Sequence, residues 1–146
     1  MPAFNHMNSY LRFCIDSIRD QQIAGKLFSQ RFFSPVAFSD LGSVALFLDE
    51  VFDQQNFPQA FQRNRTFLAG ESDLSNVVDE PGQGMTPAVV CAARGRVVTF
   101  DVLVVSRRSS SWQGTVSWLD ENNRQEFHSF LELMRMINTR LLTRKP

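Results

Sequence analysis

The sequence predicts an α+β fold made of two β-β-β-α repeats in a pseudo-two-fold relation, forming an antiparallel sheet with the helices on one face. Three observations lead there. In "SSSWQGTVSW", Ser109 to Trp118, residues Trp112, Gly114, Val116 and Trp118 alternate with Gln113, Thr115 and Ser117, the period of a strand with one buried face. Two stretches, one from Leu41 to Phe52 and one from Phe130 to Leu141, place apolar residues at three- and four-residue steps, the stripe of a helix lying on a core. At an offset of 89, these elements fall on their counterparts in the first half without a gap.

The elements follow in order. Residues 1–8 read as a loose tail, and "LRFCIDSI" from Leu11 is apolar and rich in β-formers. "RDQQ" is a polar turn, and Ile23 to Ser29 alternates as a second strand, antiparallel to the first. After Pro35, Val36 to Phe38 is long enough for a short third strand. Ser39 or Asp40 can cap the helix that follows. Residues 56–80 mix aromatics, Arg63, Arg65 and a Gly/Ser/Asp/Pro-rich run, which predicts a loop or linker. "VVTFDVLVV", "WQGTVSWL" and "QEFHS" then read as three strands. Ser129 with Glu132 has capping-box spacing at the start of the last helix. A single domain spans 1–146, with repeat one at about 10–53, a linker at about 54–95 and repeat two at about 96–146.

In the offset comparison Phe13 falls on Val102, Ile23 on Trp112, Gly25 on Gly114, Phe38 on Phe127 and Phe52 on Leu141. The tryptophans are therefore expected in the core. A glycine inside a strand marks a bulge or a close approach, and Gly25 and Gly114 are expected to leave a groove for a helix ridge. The two units can merge into one sheet of about six strands or pack as two sub-sheets.

Composition narrows the function classes. Fifteen basic and fifteen acidic residues cancel, so no whole-molecule attraction to nucleic acid or anionic membrane is expected. Cys14 and Cys91 are too far apart for a metal motif or a disulfide framework. They read as two buried free thiols in a reducing compartment. No apolar run approaches a membrane span and no leader pattern stands at the N-terminus, so the expected location is the cytoplasm, without membrane partners.

Catalytic means are sparse. "GQG" at Gly82 to Gly84 lacks the strand, helix and lysine of a phosphate loop. His6 and His128 are isolated. Asp49 and Asp53 share a helix face and could hold Mg²⁺ or work as acid and base, although a solvated helix face is the simpler reading. The expectation is therefore a protein that is not an enzyme, with no cofactor and no metal. Candidate partner-binding residues are Arg107 and Arg108 in a hairpin turn, Gln113, Thr115 and Ser117 on the polar strand face, and Arg63 and Arg65.

The segment "RRSSSWQGTVSWLDENNRQEFHSFLELMRMI" resembles a group of small bacterial proteins that carry S-W-Q-G-T-V-x-W, a polar turn and F-x-S-x-L-E-L before a C-terminal helix. The matching residues are Ser111 to Trp118, Phe127, Ser129, Leu131, Glu132 and Leu133. "RFCIDSI", "AGKLFS" and "FPQAF" are similar to further segments of the group. The group has no assigned activity, so the resemblance implies a recurring fold and no mechanism. Here Ser109 and Ser110 follow Arg108, where the group's pattern suggests a longer polar side chain.

Together these readings point to a non-catalytic module that binds another protein, a small adaptor or an inhibitor of the phage or mobile-element type. The alternative is a nucleic-acid-associated regulator using Arg107, Arg108 and the basic tail of Arg140, Arg144 and Lys145. Exposed strand edges leave a homodimer open.

Overall fold

The computed structural model describes residues 4–58, 74–108, 111–121 and 123–142. The strands are β1 (Leu11–Arg19), β2 (Gln22–Phe28), β3 (Val36–Phe38), β4 (Val98–Ser106), β5 (Gln113–Trp118) and β6 (Asn123–Phe127). The helices are α1 (Leu41–Gln55), α2 (Pro87–Ala92) and α3 (Phe130–Leu142). All strands join one antiparallel sheet of six in the order β3-β2-β1-β4-β5-β6. Of the two arrangements open to the sequence, the chain adopts the single sheet, with β1 paired to β4 at its centre.

Alternation decides what each face carries. Phe13 lies opposite Phe100, Phe100 opposite Trp118, and Val102 opposite Val116, so these side chains share one face. An aromatic row crosses it: Phe13 and Phe100 stack at 5.1 Å between centroids, and Phe100 meets Trp118 at 4.7 Å. Such contacts add about 0.5–1.5 kcal/mol each beyond area burial. Helices α1 and α3 deliver Leu48, Val51, Phe52, Leu133, Ile137 and Leu141 to this same core. Trp112 fills the seam between them, edge-on to Phe52 at 5.2 Å and to Phe130 at 5.0 Å. Both indoles are buried, Trp112 at 6% and Trp118 at 1% exposure.

The caps explain the helix limits. Asp40 accepts the Gly42 and Ser43 amides at the start of α1, and Asn56, in the left-handed region at φ 55°, ends it. Ser129 Oγ accepts the Glu132 amide of α3 at 3.0 Å. The Glu132 carboxylate reaches back to the His128 amide at 2.6 Å, one residue earlier than the capping-box pattern places it.

Four expectations need correction. Residues 4–8 are not a loose tail: Phe4 is buried, and Asn5 and Asn8 close a turn by exchanging hydrogen bonds. The span expected as a linker contains α2, with Thr86 as N-cap and Pro87 at its first position. Residues 59–73 of the span lie outside the described residues; of the rest, Val77 and Val78 are buried, Phe32 bridges Val77, and the Met85 amide donates to Phe32 O at 2.9 Å. Cys91 is exposed, while Cys14 is buried as expected.

The fourth correction concerns the strand glycines. Each faces the backbone of the neighbouring strand, not a helix ridge. A Cβ on Gly25 would collide with Cys14 O, and a Cβ on Gly114 with Leu103 O. Both glycines sit beside a β-bulge, between Ile15 and Ser17 on β1 and between Val104 and Ser106 on β4. A bulge bends its strand toward the partner, and only a residue without a side chain fits there.

Candidate functional site

The bulge in β4 reverses the alternation after Val104. Ser106 pairs with the outward Gln113, so Arg107 turns inward beside Trp112. It is 3% exposed, not open in a hairpin turn as the sequence suggests. Its Nε donates to Pro58 O at 2.7 Å, and its Nη1 to Asp53 Oδ1 at 2.8 Å and Asp49 Oδ1 at 3.3 Å. Trp112 Nε1 donates to the same Asp49 oxygen at 3.1 Å. Arg107 Nη2 is buried and makes no hydrogen bond among the described residues. The Asp49–Asp53 face is therefore the counter-charge of a buried guanidinium. Both carboxylates are about half exposed, so solvent weakens the attraction.

A second arginine, which the sequence did not single out, lies against the same ring. Arg31 is 1% exposed, and its guanidinium sits 4.7 Å from the Phe52 centroid, with Arg107 at 5.6 Å. Arg31 donates to Ser9 O at 3.0 Å, and to Gln55 Oε1 and Phe57 O at 2.9 Å each. Burial, and then repulsion from Arg107, push it down to about 9, so it keeps its charge at neutral pH. These two arginines tie the end of α1 to the N-terminal segment and to the β4–β5 connection. Both carboxylates of the cluster are engaged by Arg107, and among the described residues no group of three His, Cys, Asp or Glu could hold a metal ion.

The other sequence-selected residues divide. Arg108 is exposed. Gln113 is occupied: its Oε1 accepts from Ser106 Oγ at 2.7 Å and from the Arg108 amide at 2.8 Å, and its Nε2 donates to Arg108 O at 3.1 Å. Arg140 is likewise engaged, bonded to Asp120 at 2.7 Å and Glu121 at 2.6 Å, and stacked 4.7 Å from the Trp118 centroid. Arg63, Arg65, Arg144 and Lys145 lie outside the described residues.

Thr115 and Ser117 do stand on the sheet face opposite α1 and α3, half-buried. Thr115 lies across from Leu103 and Glu126, and Ser117 across from Asp101 and Arg124. Leu103 is also half-buried, and Val105, displaced by the bulge, is exposed. The result is a shallow surface of small hydroxyls, two apolar side chains and a few charges on β4, β5 and β6.

The two thiols make a direct check on the burial pattern. Burial pushes Cys14 up to about 11 from an ordinary 9.0, so its thiol stays protonated at pH 8, where thiolate is the reactive form. A thiol reagent at that pH is expected to modify Cys91 at once and Cys14 only on unfolding, with Cys91→Ser abolishing the fast phase. Because the folded value is the raised one, Cys14 favours the native state below the ordinary value and ceases to do so as pH climbs through the folded value. Fast modification of both thiols in the native protein contradicts the described core.

Compared with protein-family models, with curated proteins and with solved structures, the chain finds no match. Its functional reading rests on its own residues.

Proposed function

We propose that the protein is a non-catalytic binding module that holds another protein on the outer face of β4, β5 and β6. The observation that carries this reading is the unequal covering of the sheet. One face is buried under α1 and α3, while Leu103, Thr115 and Ser117 on the other remain half-buried and Val105 exposed. A non-obligate interface is about as apolar as the rest of a protein's surface, and this mixed face is compatible with one. A cytoplasmic adaptor, or an inhibitor of the phage or mobile-element type, would present a surface of this kind; that comparison rests on size and scarcity of catalytic groups.

The nucleic-acid alternative has lost ground, because Arg107 and Arg140 are committed to carboxylates. Thr115→Arg with Ser117→Arg is expected to abolish capture of the partner while leaving the melting temperature within about 2 °C of the parent. Unchanged capture by this variant would remove the outer face from the proposal. A gel shift lost with Arg108→Ala would favour the nucleic-acid reading instead. A concentration-dependent dimer sensitive to the double substitution would make the partner a second copy.

We also infer that β1-β2-β3-α1 and β4-β5-β6-α3 descend from one copied unit. The support is register. Gly25 pairs with Ile15 and Phe38, as Gly114 pairs with Val104 and Phe127, every residue displaced by the same 89 positions. The bulges shift by that number too. Across the centre of the sheet Leu11 pairs with Val102 and Phe13 with Phe100, and the displacement exchanges these two pairs. It also exchanges Arg12 with Asp101, which puts the implied two-fold axis between them.

A further inference from the structure

The face that bears Thr115 has a different character at its other end. A cavity of about 440 Å³ opens there, lined by Cys14, Asp16, Lys26, Phe28, Arg94 and Arg96. Three cations face a single carboxylate in a chain whose charges cancel overall. Lys26 and Arg96 are exposed, and their side chains make no hydrogen bond or ion pair among the described residues. Among the described residues Arg94 donates to two carbonyls, Cys91 O at 2.7 Å and Ala93 O at 2.8 Å. Nearby Arg12 adds no charge, because Asp101 neutralises it.

The cations are set on a fixed frame. Lys26 stands directly opposite Cys14 in the β1–β2 ladder. The segment that carries Arg94 and Arg96 is fastened to its neighbours at three points: Gly95 N to Thr99 Oγ1 at 2.8 Å, Arg96 N to Asp16 Oδ1 at 3.1 Å and Val97 N to Ile15 O at 2.8 Å. Gly95 lies so close to Ile15 that no side chain would fit. The floor is the Cys14 thiol, which stays uncharged at neutral pH, and half-buried Phe28 supplies an aromatic wall.

We propose that this cavity binds a phosphate monoester bearing a planar ring, of mononucleotide size. The phosphate dianion would meet Lys26, Arg94 and Arg96, charge-assisted contacts of the strong kind. The ring would lie against Phe28. The volume falls within the range of small-molecule sites and far exceeds what inorganic phosphate fills. The site is independent of the protein-binding reading, because it uses β1, β2 and the α2–β4 segment and none of Leu103, Val105, Thr115 or Ser117.

Titration calorimetry on the full chain with AMP, adenosine, inorganic phosphate and a 5′-phosphorylated oligonucleotide tests it. AMP is expected to bind, phosphate more weakly and adenosine not at all. Lys26→Ala and Arg96→Ala should each weaken AMP roughly tenfold, and about 300 mM salt should weaken it further. Asp16→Asn keeps an oxygen for the Arg96 amide and removes the repelling charge, so it should bind AMP more tightly, a gain that damage to the fold does not produce. Phe28→Leu should bring AMP down to the level of phosphate. No AMP binding at millimolar concentration, binding indifferent to Lys26→Ala and Arg96→Ala, or binding of the oligonucleotide alone would each overturn the proposal.

Discussion

Gly114→Ala should destabilise the protein by about 3 kcal/mol, roughly 10 °C in melting temperature for a chain of this size. The reason is space rather than conformation. Gly114 is not among the positive-φ residues, so alanine can adopt its backbone angles. What alanine cannot do is place a methyl group where Leu103 O and Val104 Cα already stand. The obstruction is backbone on both counts, so no rotamer change relieves it and the β4–β5 pairing must open. Gly25→Ala should cost a similar amount, because Cys14 O and Ile15 Cα stand in the same relation to it. Gly42→Ala provides the contrast. It lies in the first turn of α1, with nothing nearer to an added Cβ than Asp40 Oδ1 at 3.5 Å, and should raise stability by about 0.5 kcal/mol through helix propensity. Thermal melts of the three variants decide the matter. If Gly114→Ala and Gly42→Ala move the midpoint alike, the close strand approach is not a feature of the folded protein.

The strands and long helices were legible because hydrophobic period is local. Trp112, Val116 and Trp118 announce a buried face through their spacing, and Leu41, Val44 and Leu48 announce a helix, whatever lies across from them. The period does not name the neighbour. Gly114 marks a close approach, but a bulged strand and a helix ridge leave the same glycine in the sequence. Arg107 differs from its sequence reading for a related reason. The polar run from Ser106 to Ser111 reads as a hairpin turn open to solvent, and a single extra residue at the bulge turns Arg107 inward instead. Arg31 has no local signal, since its partners Ser9 O, and Gln55 and Phe57 O at the end of α1, come from two stretches more than 20 residues away on either side. Helix α2 did have one in Thr86-Pro87, an N-cap followed by proline at the first helical position. The Gly/Ser-rich run before it has the composition of a linker and masks that signal. The cations at the Cys14 cavity were equally hidden. Lys26 reads as an ordinary outward strand residue, and only the sheet order brings it beside Arg94 and Arg96.

The Arg12–Asp101 pair offers the other large effect. Arg12 Nε and Nη2 meet Asp101 Oδ1 and Oδ2 at 2.7 and 2.8 Å, the two side chains being 6% and 22% exposed. Arg12 Nη1 goes to Cys91 O, which ties the last turn of α2 to the central strands, on the face away from α1 and α3. The hydrogen bond to Asp101 outweighs burial and raises the Arg12 value, so the guanidinium is charged at every workable pH. Asp101→Ala strands that charge with one carbonyl partner and should cost about 3 kcal/mol. Arg12→Leu leaves behind only a carboxylate that water reaches, and should cost about half as much. The double variant Arg12→Leu, Asp101→Leu should be closer to the parent than Asp101→Ala is, because an apolar pair avoids both desolvations. The charge exchange Arg12→Asp, Asp101→Arg tests the copied-unit reading as well. If each residue occupies the other's place about a two-fold axis, the exchange should recover more than half of what Asp101→Arg alone loses, short of the parent by the Cys91 contact. Denaturant midpoints give the coupling from a double-mutant cycle, expected at about 2 kcal/mol. A coupling below about 0.5 kcal/mol would mean that packing alone joins β1 to β4. An exchange no better than Asp101→Arg would mean that the two positions are not equivalent, and the inference of a copied unit would lose its central pair.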